Sequence, residues 1–498
     1  MKNGMLRMNL EELLTSIPFY HTTDHMAKLT VNRIVMDSRK VEPGDVFICI
    51  SGYTVDGHDF VPQAEANGAV AIIAEKSVNT KLPTIVVPDT HRALSMLAVE
   101  FYDNPTDKLA LIGITGTNGK TTVTYLLETI FQLAKQKTGV IGTIHMKIGD
   151  ETYPVVNTTP DALFLQQTFN KMVQQNVDKA IMEVSSHALV QGRVHGCNYD
   201  IAVFTNLSQD HLDFHKDMDD YLRAKSLLFA QMGNNYNHTR RKYAIINQDE
   251  AASDVLKQST AQQVLTYGIH QASQVMAKDI ELGAAGTHFH LITPVGNIRI
   301  ESKLMGMFNV YNMLAASATA IASNIPLDTI QQAFKQIEGI NGRFEPVNEG
   351  QTFAVIVDYA HTPDSLENVL QTVKEFAENR VFVVVGCGGD RDRTKRPLMA
   401  EIAVKYADKP IFTSDNPRTE DPLAILEDMT SGLDQDTAFD VIADRKVAIQ
   451  EAINQATEDD VIIIAGKGHE TYQQIGHTKY DFDDREVARQ AILAKERA

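Results

Sequence analysis

The chain has 498 residues, too many for one ordinary hydrophobic core, and at about 150 residues per domain it suggests roughly three. Its 43% hydrophobic and 22% charged residues are the balance of a soluble globular protein, and a formal net charge of −18 excludes a general nucleic-acid binder, whose affinity rests on clustered Lys and Arg. No apolar run approaches the roughly 18 residues of a membrane span, the first twenty residues lack a signal layout, and Cys49, Cys197 and Cys387 stand far apart without metal spacing, so the expectation is a cytoplasmic protein with no membrane partner.

Residues 1–108 alternate short β-rich runs (46–50, 70–74 and 84–87) with segments of helical period, the pattern of a small α/β domain. Asp37-Ser38-Arg39 sits within this region. Asp and Ser at a strand end serve either as a turn or helix cap or as a ligand site, and the pattern leaves both open.

Residues 109–342 open on Leu111-Ile-Gly-Ile-Thr-Gly-Thr-Asn-Gly-Lys-Thr-Thr122, which reads as a strand, a phosphate-cradling loop and a helix start. In such a loop Gly116, Thr117, Asn118 and Gly119 turn backbone N–H groups toward phosphate, Lys120 supplies a point charge, and the Thr121 hydroxyl, followed by Thr122, holds Mg²⁺. The glycine a strict motif wants at position 114 is Ile114, so this is a variant of the loop. A strand over 179–184 delivers Glu183 and then Ser185; another over 201–206 delivers Asp210 and His211, and strand ends are where open α/β sheets place ligands. Glu183 and His211 are candidate ligands for Mg²⁺ or Mn²⁺, against the plainer reading of solvated acidic turns. Lys225 shares a helix face with Tyr221, Leu228 and Phe229; it either snorkels or is buried with a lowered pKa. Phe308, Asn309 and Asn312 stand before an alanine-rich helix expected from Met313, where helix capping would explain them, and Arg343, beside Gly342, suits a phosphate clamp.

In residues 343–498 four further strands, over 353–357, 380–385, 410–413 and 461–465, alternate with helices, which predicts a parallel, doubly wound sheet. Each strand ends in a polar cluster: Asp358 to His361, Gly386 to Asp392 with Arg391, Asp415-Asn416-Pro417-Arg418, and Gly466-Lys467-Gly468-His469-Glu470. Turn chemistry accounts for the Gly, Pro, Asn and Asp but not for Arg391, Arg418 and Glu470 together, a charge set suited to a zwitterion.

With these clusters assembled, the chain resembles the Mur ligases, the ATP-dependent amino-acid-adding family of peptidoglycan precursor synthesis. The resemblance rests on Thr115 to Thr121, Glu183-Val-Ser-Ser-His187, Asn206 to His211, Lys225, Asn309, Asn312, Gly342-Arg343 and Asp358 to His361, in that order along nearly the whole chain. Within the family it is most similar to the ligases that add the third residue, through Asp37 to Arg39, Asn157-Thr158-Thr159, Gln191-Gly-Arg193 and Gly466 to Glu470; the tetrad Asp415 to Arg418 is the form associated with meso-diaminopimelate.

The resemblance implies an α/β fold of three domains, with a central P-loop ATPase-like domain and a C-terminal Rossmann-like domain. It implies that Ser38 helps hold the UDP end and that Asn157, Thr158, Thr159, Ser185, Gln191 and Arg193 hold the rest of UDP-N-acetylmuramoyl-L-alanyl-D-glutamate. Asn309, Asn312, Arg343 and Asp358 would position ATP. Mg²⁺ would be held by Thr121, Glu183, His211 and Lys225, the lysine N-carboxylated by carbon dioxide, with Lys120, Lys225, His211 and Arg343 catalytic. Arg391, Asp415, Asn416, Pro417, Arg418, Gly466 and Glu470 would read meso-diaminopimelate. The implied reaction is amide ligation through an acyl phosphate, carried out by a monomer. The competing readings are the same ligase using L-lysine, a folylpolyglutamate-synthase-like ligase, and a nucleotide-switched binding module without ligase chemistry.

Overall fold

The computed structural model describes residues 7–22, 29–52, 55–155, 157–283, 286–434 and 436–496. The fold is α/β, and its contacts divide the chain into two compact units: residues 1–113, 136–201 and 237–242 form one, and residues 114–135, 202–236 and 243–498 form the other.

In the first unit, strands Arg33–Val35, Asp45–Ile48, Ala71–Ala74 and Thr84–Val86 pair in that order, all parallel. Val46, Ile48, Ala71 and Ile73 pack on one face with helix Thr90–Phe101, while Phe47, Cys49, Ile72 and Ala74 pack on the other with helix Val61–Ala66. Strand side chains alternate between faces, so near-continuous apolar runs signal a sheet covered on both sides. A second sheet in this unit pairs Thr138–Ile141 in parallel with Lys179–Glu183 and carries the antiparallel strands Met146–Ile148 and Glu151–Tyr153 on its other side.

The second unit holds two sheets. One runs Ile201–Phe204, Tyr243–Asn247, Gln263–Gly268, Val275–Gly283, Gly286–Thr293, Gly296–Ser302, its last three strands an antiparallel meander that the sequence reading did not anticipate. Those strands are half-exposed, and an alternating pattern broken by the turn at Pro294-Val295 is a weak signal beside the buried runs. The other runs Glu345–Pro346, Ala354–Asp358, Val461–Ala465, Val381–Val385, Lys409–Phe412, Asp440–Val441, parallel except for its first pair. Val355, Val357, Phe382, Val384, Ile462 and Ile464 face helices Arg445–Gln455 and Asp484–Lys495; Ile356, Val383, Val385 and Ile463 face Pro363–Lys374 and Lys395–Tyr406. This is the doubly wound arrangement expected. At roughly 1.5–3 kcal/mol for each fully buried Val, Ile or Phe, these faces supply the main favourable term of folding.

One boundary differs from the sequence reading. The helix expected from Met313 begins at Met307, with Gly306 as its cap, so Phe308, Asn309 and Asn312 lie inside its first two turns and present side chains from it. Met305 O accepts from Asn309 Nδ2 at 2.8 Å, and Asn309 Oδ1 accepts from Asn312 Nδ2 at 3.2 Å.

Candidate functional site

The candidate residues fall into four sets: the glycine-rich loop, its surroundings, the polar cluster of the first unit and the polar cluster at the C-terminal strand ends. The loop follows strand Ala110–Thr115 and ends at helix Lys120–Leu133. Gly116 (φ +151°) and Gly119 (φ +86°) have left-handed backbones, and a Cβ on them would lie 1.8 Å from Thr205 Oγ1 and 2.3 Å from Asn312 Oδ1. Only glycine fits both positions. The loop is laced to the strand end at Phe204: Asn118 N donates to Asn206 Oδ1 (2.8 Å), Thr205 Oγ1 donates to Asn118 O (2.6 Å), and Thr117 Oγ1 donates to Ser208 O (3.2 Å). Lys120 Nζ lies over the loop, donating to Gly116 O (2.9 Å) and Thr117 O (2.8 Å).

Lys225 is fully buried on helix Met218–Ala230, with Nζ donating to Gly116 O at 2.8 Å and standing 4.2 Å from the Tyr221 ring centre. Burial, then the like charge of Lys120, drives its pKa well below the ordinary lysine range, with Asp210 opposing. Of the two readings left open by the sequence, snorkelling is the one this geometry overturns: a completely enclosed amine reaches no solvent.

His211, at φ +58°, has Nε2 3.4 Å from Asp210. Asp210 is itself buried, with Lys395 Nζ at 3.4 Å and His361 Nε2 at 3.8 Å. Burial alone would raise its carboxyl pKa, but Lys395, His211 and His361 outweigh that and hold it well below the usual range. Lys395 was not singled out in the sequence, where it is one basic residue of an Arg391-to-Arg396 run.

A cavity of about 320 Å³ opens beside the loop. Asn118, Gly119 and Thr122 form one wall, Phe308, Tyr311 and Asn312 another, and Arg343, Asp358 and Asp364 a third. Arg343 Nη2 donates to Thr121 Oγ1 at 3.3 Å, its guanidinium stands 4.7 Å over the Tyr359 ring, and its Nε is buried without a hydrogen-bond partner among the described residues. Burial pushes the Asp358 carboxyl up to about 6 against the pull of Arg343, while Asp358 Oδ2 accepts from Phe344 N at 2.6 Å. Asp249 and Asp364 are wall residues that sequence reasoning missed. Asp249 accepts from the backbone of Ile269, His270 and Gln271 and from Tyr311 Oη (2.8 Å), and Asp364 accepts from Asn118 Nδ2 (2.8 Å). Asp249 follows the strand ending at Asn247, the one signal that would have found it.

In the first unit, Glu183, Thr158, Thr159, Ser185 and Arg193 come together. Glu183 accepts from Thr143 N (3.0 Å) and Thr143 Oγ1 (2.9 Å), and Thr143 Oγ1 is 3.1 Å from Thr158 Oγ1. Thr159 Oγ1 donates to Glu183 O and accepts from Ser185 N, and Arg193 donates to Thr159 O (3.0 Å). Thr143, which links Glu183 to Thr158, was not predicted. Gln191 ends helix Ser186–Val190 next to this cluster, and Asn157 is exposed. Ser38 lies apart from the cluster in sequence and contacts, buried on Ser38–Lys40, with Oγ donating to Gln63 Oε1 (2.7 Å) and its carbonyl accepting from Asn67.

The C-terminal strands bring the last set together. Arg418, at φ +51°, donates from Nη1 to Gly389 O (2.7 Å), and burial followed by the like charge of Arg391 lowers its pKa. Arg391 is exposed, donating to Asp390 O. Gly389 N donates to Asn416 O, Glu420 N to Pro417 O, and Gly466 N to Asp358 O. Asp415 Oδ1 accepts from Asn416 N (2.6 Å), and Asn416 Nδ2 donates to Glu470 Oε2 (2.8 Å). Basic and acidic side chains thus gather at one set of strand ends, where open α/β sheets place their ligands.

Three family descriptions match: "Mur ligase family, catalytic domain" over residues 30–102, "Mur ligase middle domain" over 114–320, and "Mur ligase, glutamate ligase domain" over 342–468. The chain is similar to the UDP-N-acetylmuramoyl-L-alanyl-D-glutamate--2,6-diaminopimelate ligase of Oceanobacillus iheyensis, 62% identical over 98% of this chain and 100% of that one, and to that of Bacillus velezensis, 58% identical over 98% and 99%. A solved structure of a ligase of the same name matches at 36% identity with a TM-score of 0.69, covering 98% of this chain and all of the other.

Proposed function

Because the chain belongs to the Mur ligase family, we propose that it is the ATP-dependent ligase that joins meso-diaminopimelate to UDP-N-acetylmuramoyl-L-alanyl-D-glutamate in peptidoglycan precursor synthesis. The observation that carries this is the 62% identity, over essentially the whole of both chains, to a ligase of that name. The crevice supports it, since Arg418 and Glu470 supply the two signs of charge a diamino acid requires. Mur ligases use ATP and Mg²⁺.

We assign ATP to the loop from Gly116 to Thr122 and to the cavity walled by Asn312, Arg343 and Asp358, with Asn309 bracing Asn312. Ser38, Asn157, Thr158, Thr159, Ser185, Gln191 and Arg193 are assigned to the UDP substrate, and Arg391, Asp415 to Arg418, Gly466 and Glu470 to the diamino acid. Thr121, Glu183, His211 and N-carboxylated Lys225 are assigned to Mg²⁺. Their donors fit a hard cation: the Thr121 hydroxyl at a helix start, the Glu183 carboxylate already held by Thr143, a carbamate oxygen and one imidazole. When bound, Mg²⁺ supplies charge neutralisation on the phosphates.

Lys225 in its uncharged form attacks carbon dioxide, forming a carbamate and releasing one proton, and burial favours that uncharged form. The γ-phosphoryl group of ATP then passes to the glutamyl carboxylate, releasing ADP, while Lys120 and Arg343 offset the charge. This activation is needed because a carboxylate does not release oxide to an amine. The diaminopimelate amine attacks the acyl phosphate, phosphate leaves, and the nitrogen gives up its proton. The reading that Arg343 offsets this charge is supported by its Nε, a donor without a hydrogen-bond partner among the described residues.

The reading carries with it domains at 1–108, 109–342 and 343–498 and a monomeric, cytoplasmic enzyme without nucleic-acid or membrane partners; no helix among the described residues is long and apolar enough to cross a membrane. Phosphate release should require UDP-N-acetylmuramoyl-L-alanyl-D-glutamate and be stimulated by meso-diaminopimelate far more than by L-lysine. Equal stimulation by lysine would favour the lysine-adding reading, and release indifferent to any amino acid would reject ligation.

A further inference from the structure

The crevice contains a buried cation that none of these assignments uses. Lys467 follows the strand Val461–Ala465, and its side chain is completely enclosed. Its Nζ donates to Asn416 Oδ1 at 3.0 Å and to Glu470 Oε2 at 3.1 Å. Asn416 Oδ1 also accepts from Gln474 N (2.8 Å), while Asn416 Nδ2 donates to the same Glu470 Oε2 (2.8 Å). Two donors on Oδ1 leave the amide one orientation: flipping it would set its NH₂ against the Lys467 ammonium and the Gln474 N–H, and its oxygen against Glu470.

Both donors to Glu470 converge on Oε2. Oε1 has no protein partner among the described residues, and the Glu470 side chain is 15% exposed, so this oxygen is the one offered to the crevice. Arg418 and Arg391 supply the positive side of the same crevice, with Arg418 close enough to feel the charges of Asp415 and Glu470. A buried carboxylate is costly without a counter-charge, and a carboxylate fully neutralised by its own salt bridge would be a poor ammonium receptor. Lys467 meets the first demand at Oε2 and leaves Oε1 for the second.

We infer that Lys467 is a positioning residue for the incoming diamino acid: it fixes the Asn416 amide and one oxygen of Glu470 so that Glu470 Oε1 receives the substrate ammonium. The inference rests on the crevice being the diamino-acid site. Its test is steady-state phosphate release with meso-diaminopimelate varied at saturating ATP and UDP substrate, on Lys467→Met, Glu470→Gln and the double variant. For Lys467→Met the KM for diaminopimelate should rise on the order of tenfold to a hundredfold, the loss expected when hydrogen bonds to a charged group are removed, while kcat and the KM for ATP stay within about twofold. In the Glu470→Gln background the same change should add little, since residues acting as one unit give non-additive effects.

Parallel losses in kcat and in every KM, or fully additive effects, would overturn the proposal. Lys467→Gln, which keeps one donor, serves as the milder variant. If neither variant folds by circular dichroism, Lys467 belongs to the fold alone and the proposal is equally overturned. A wild-type enzyme without diaminopimelate-dependent release would instead reject the underlying reading of the crevice.

Discussion

Lys225 by the loop Gly116–Gly119 and Lys467 by the C-terminal strand ends are both shut away from solvent, yet their partners differ in kind. Lys225 meets a backbone carbonyl, an aromatic face and the field of another ammonium, with no carboxylate in salt-bridge contact among the described residues. Lys467 meets a carboxylate and an amide oxygen. Burial charges both a desolvation penalty; only the second has a counter-ion in contact to offset it. The difference teaches that enclosure does not decide what a lysine does. Its partners do, favouring a neutral, chemically usable amine in one place and a fixed cation that orders its neighbours in the other.

The comparison is broken most directly at Lys225. Lys225→Ala should lower the rate of phosphate release by about 10³-fold, roughly 4 kcal/mol of barrier, with partial rescue by a small carboxylic acid that restores an oxygen donor. Full activity in this variant would remove the amine from the chemistry. Next in size is a third buried lysine, Lys395, whose contact partner is Asp210. Asp210→Asn leaves that ammonium enclosed without its carboxylate and should cost about 3 kcal/mol in chemical denaturation; an unchanged midpoint would show that His361 and water compensate.

Asp358 sharpens the same lesson for an acid. Its folded-state pKa of about 6 lies above the 3.8 of a free aspartate. Between those values the folded protein binds more protons than the unfolded chain, so stability is lost as pH rises through the window. Relative to Asp358→Asn, which does not titrate, the wild type should lose on the order of 2–3 kcal/mol between pH 4 and pH 7, measured as denaturation midpoints; parallel curves would refute the raised pKa. The smallest effect belongs to the exposed Lys303–Glu338 pair, 2.8 Å apart, where Lys303→Ala should leave the denaturation midpoint unchanged.

Much of the loop was legible in the sequence because its geometry is local. The glycines, Lys120 and Thr121 are neighbours in the chain, and the strand before and helix after are fixed by short-range pattern. The doubly wound C-terminal sheet was legible for a related reason: its apolar runs are continuous, as strands buried on both faces must be. The meander over 275–302 was not, being half-exposed, and the helix start at Met307 was missed because Asn309 and Asn312 look like caps when no partner is in view.

Outside the meander, the sequence by itself determined most element types, the family and the residues at the strand ends, since these follow from period, turn chemistry and ordered motifs. Only the tertiary structure decided what those residues touch: that Gly116 accepts from Lys225 across 109 positions, that Asp210 meets Lys395 across 185, and that Lys467 and Asn416 share one oxygen of Glu470. The physical reason is that charge state and orientation depend on burial and on contacts between groups far apart in the chain, and no pattern of neighbours along the sequence carries either.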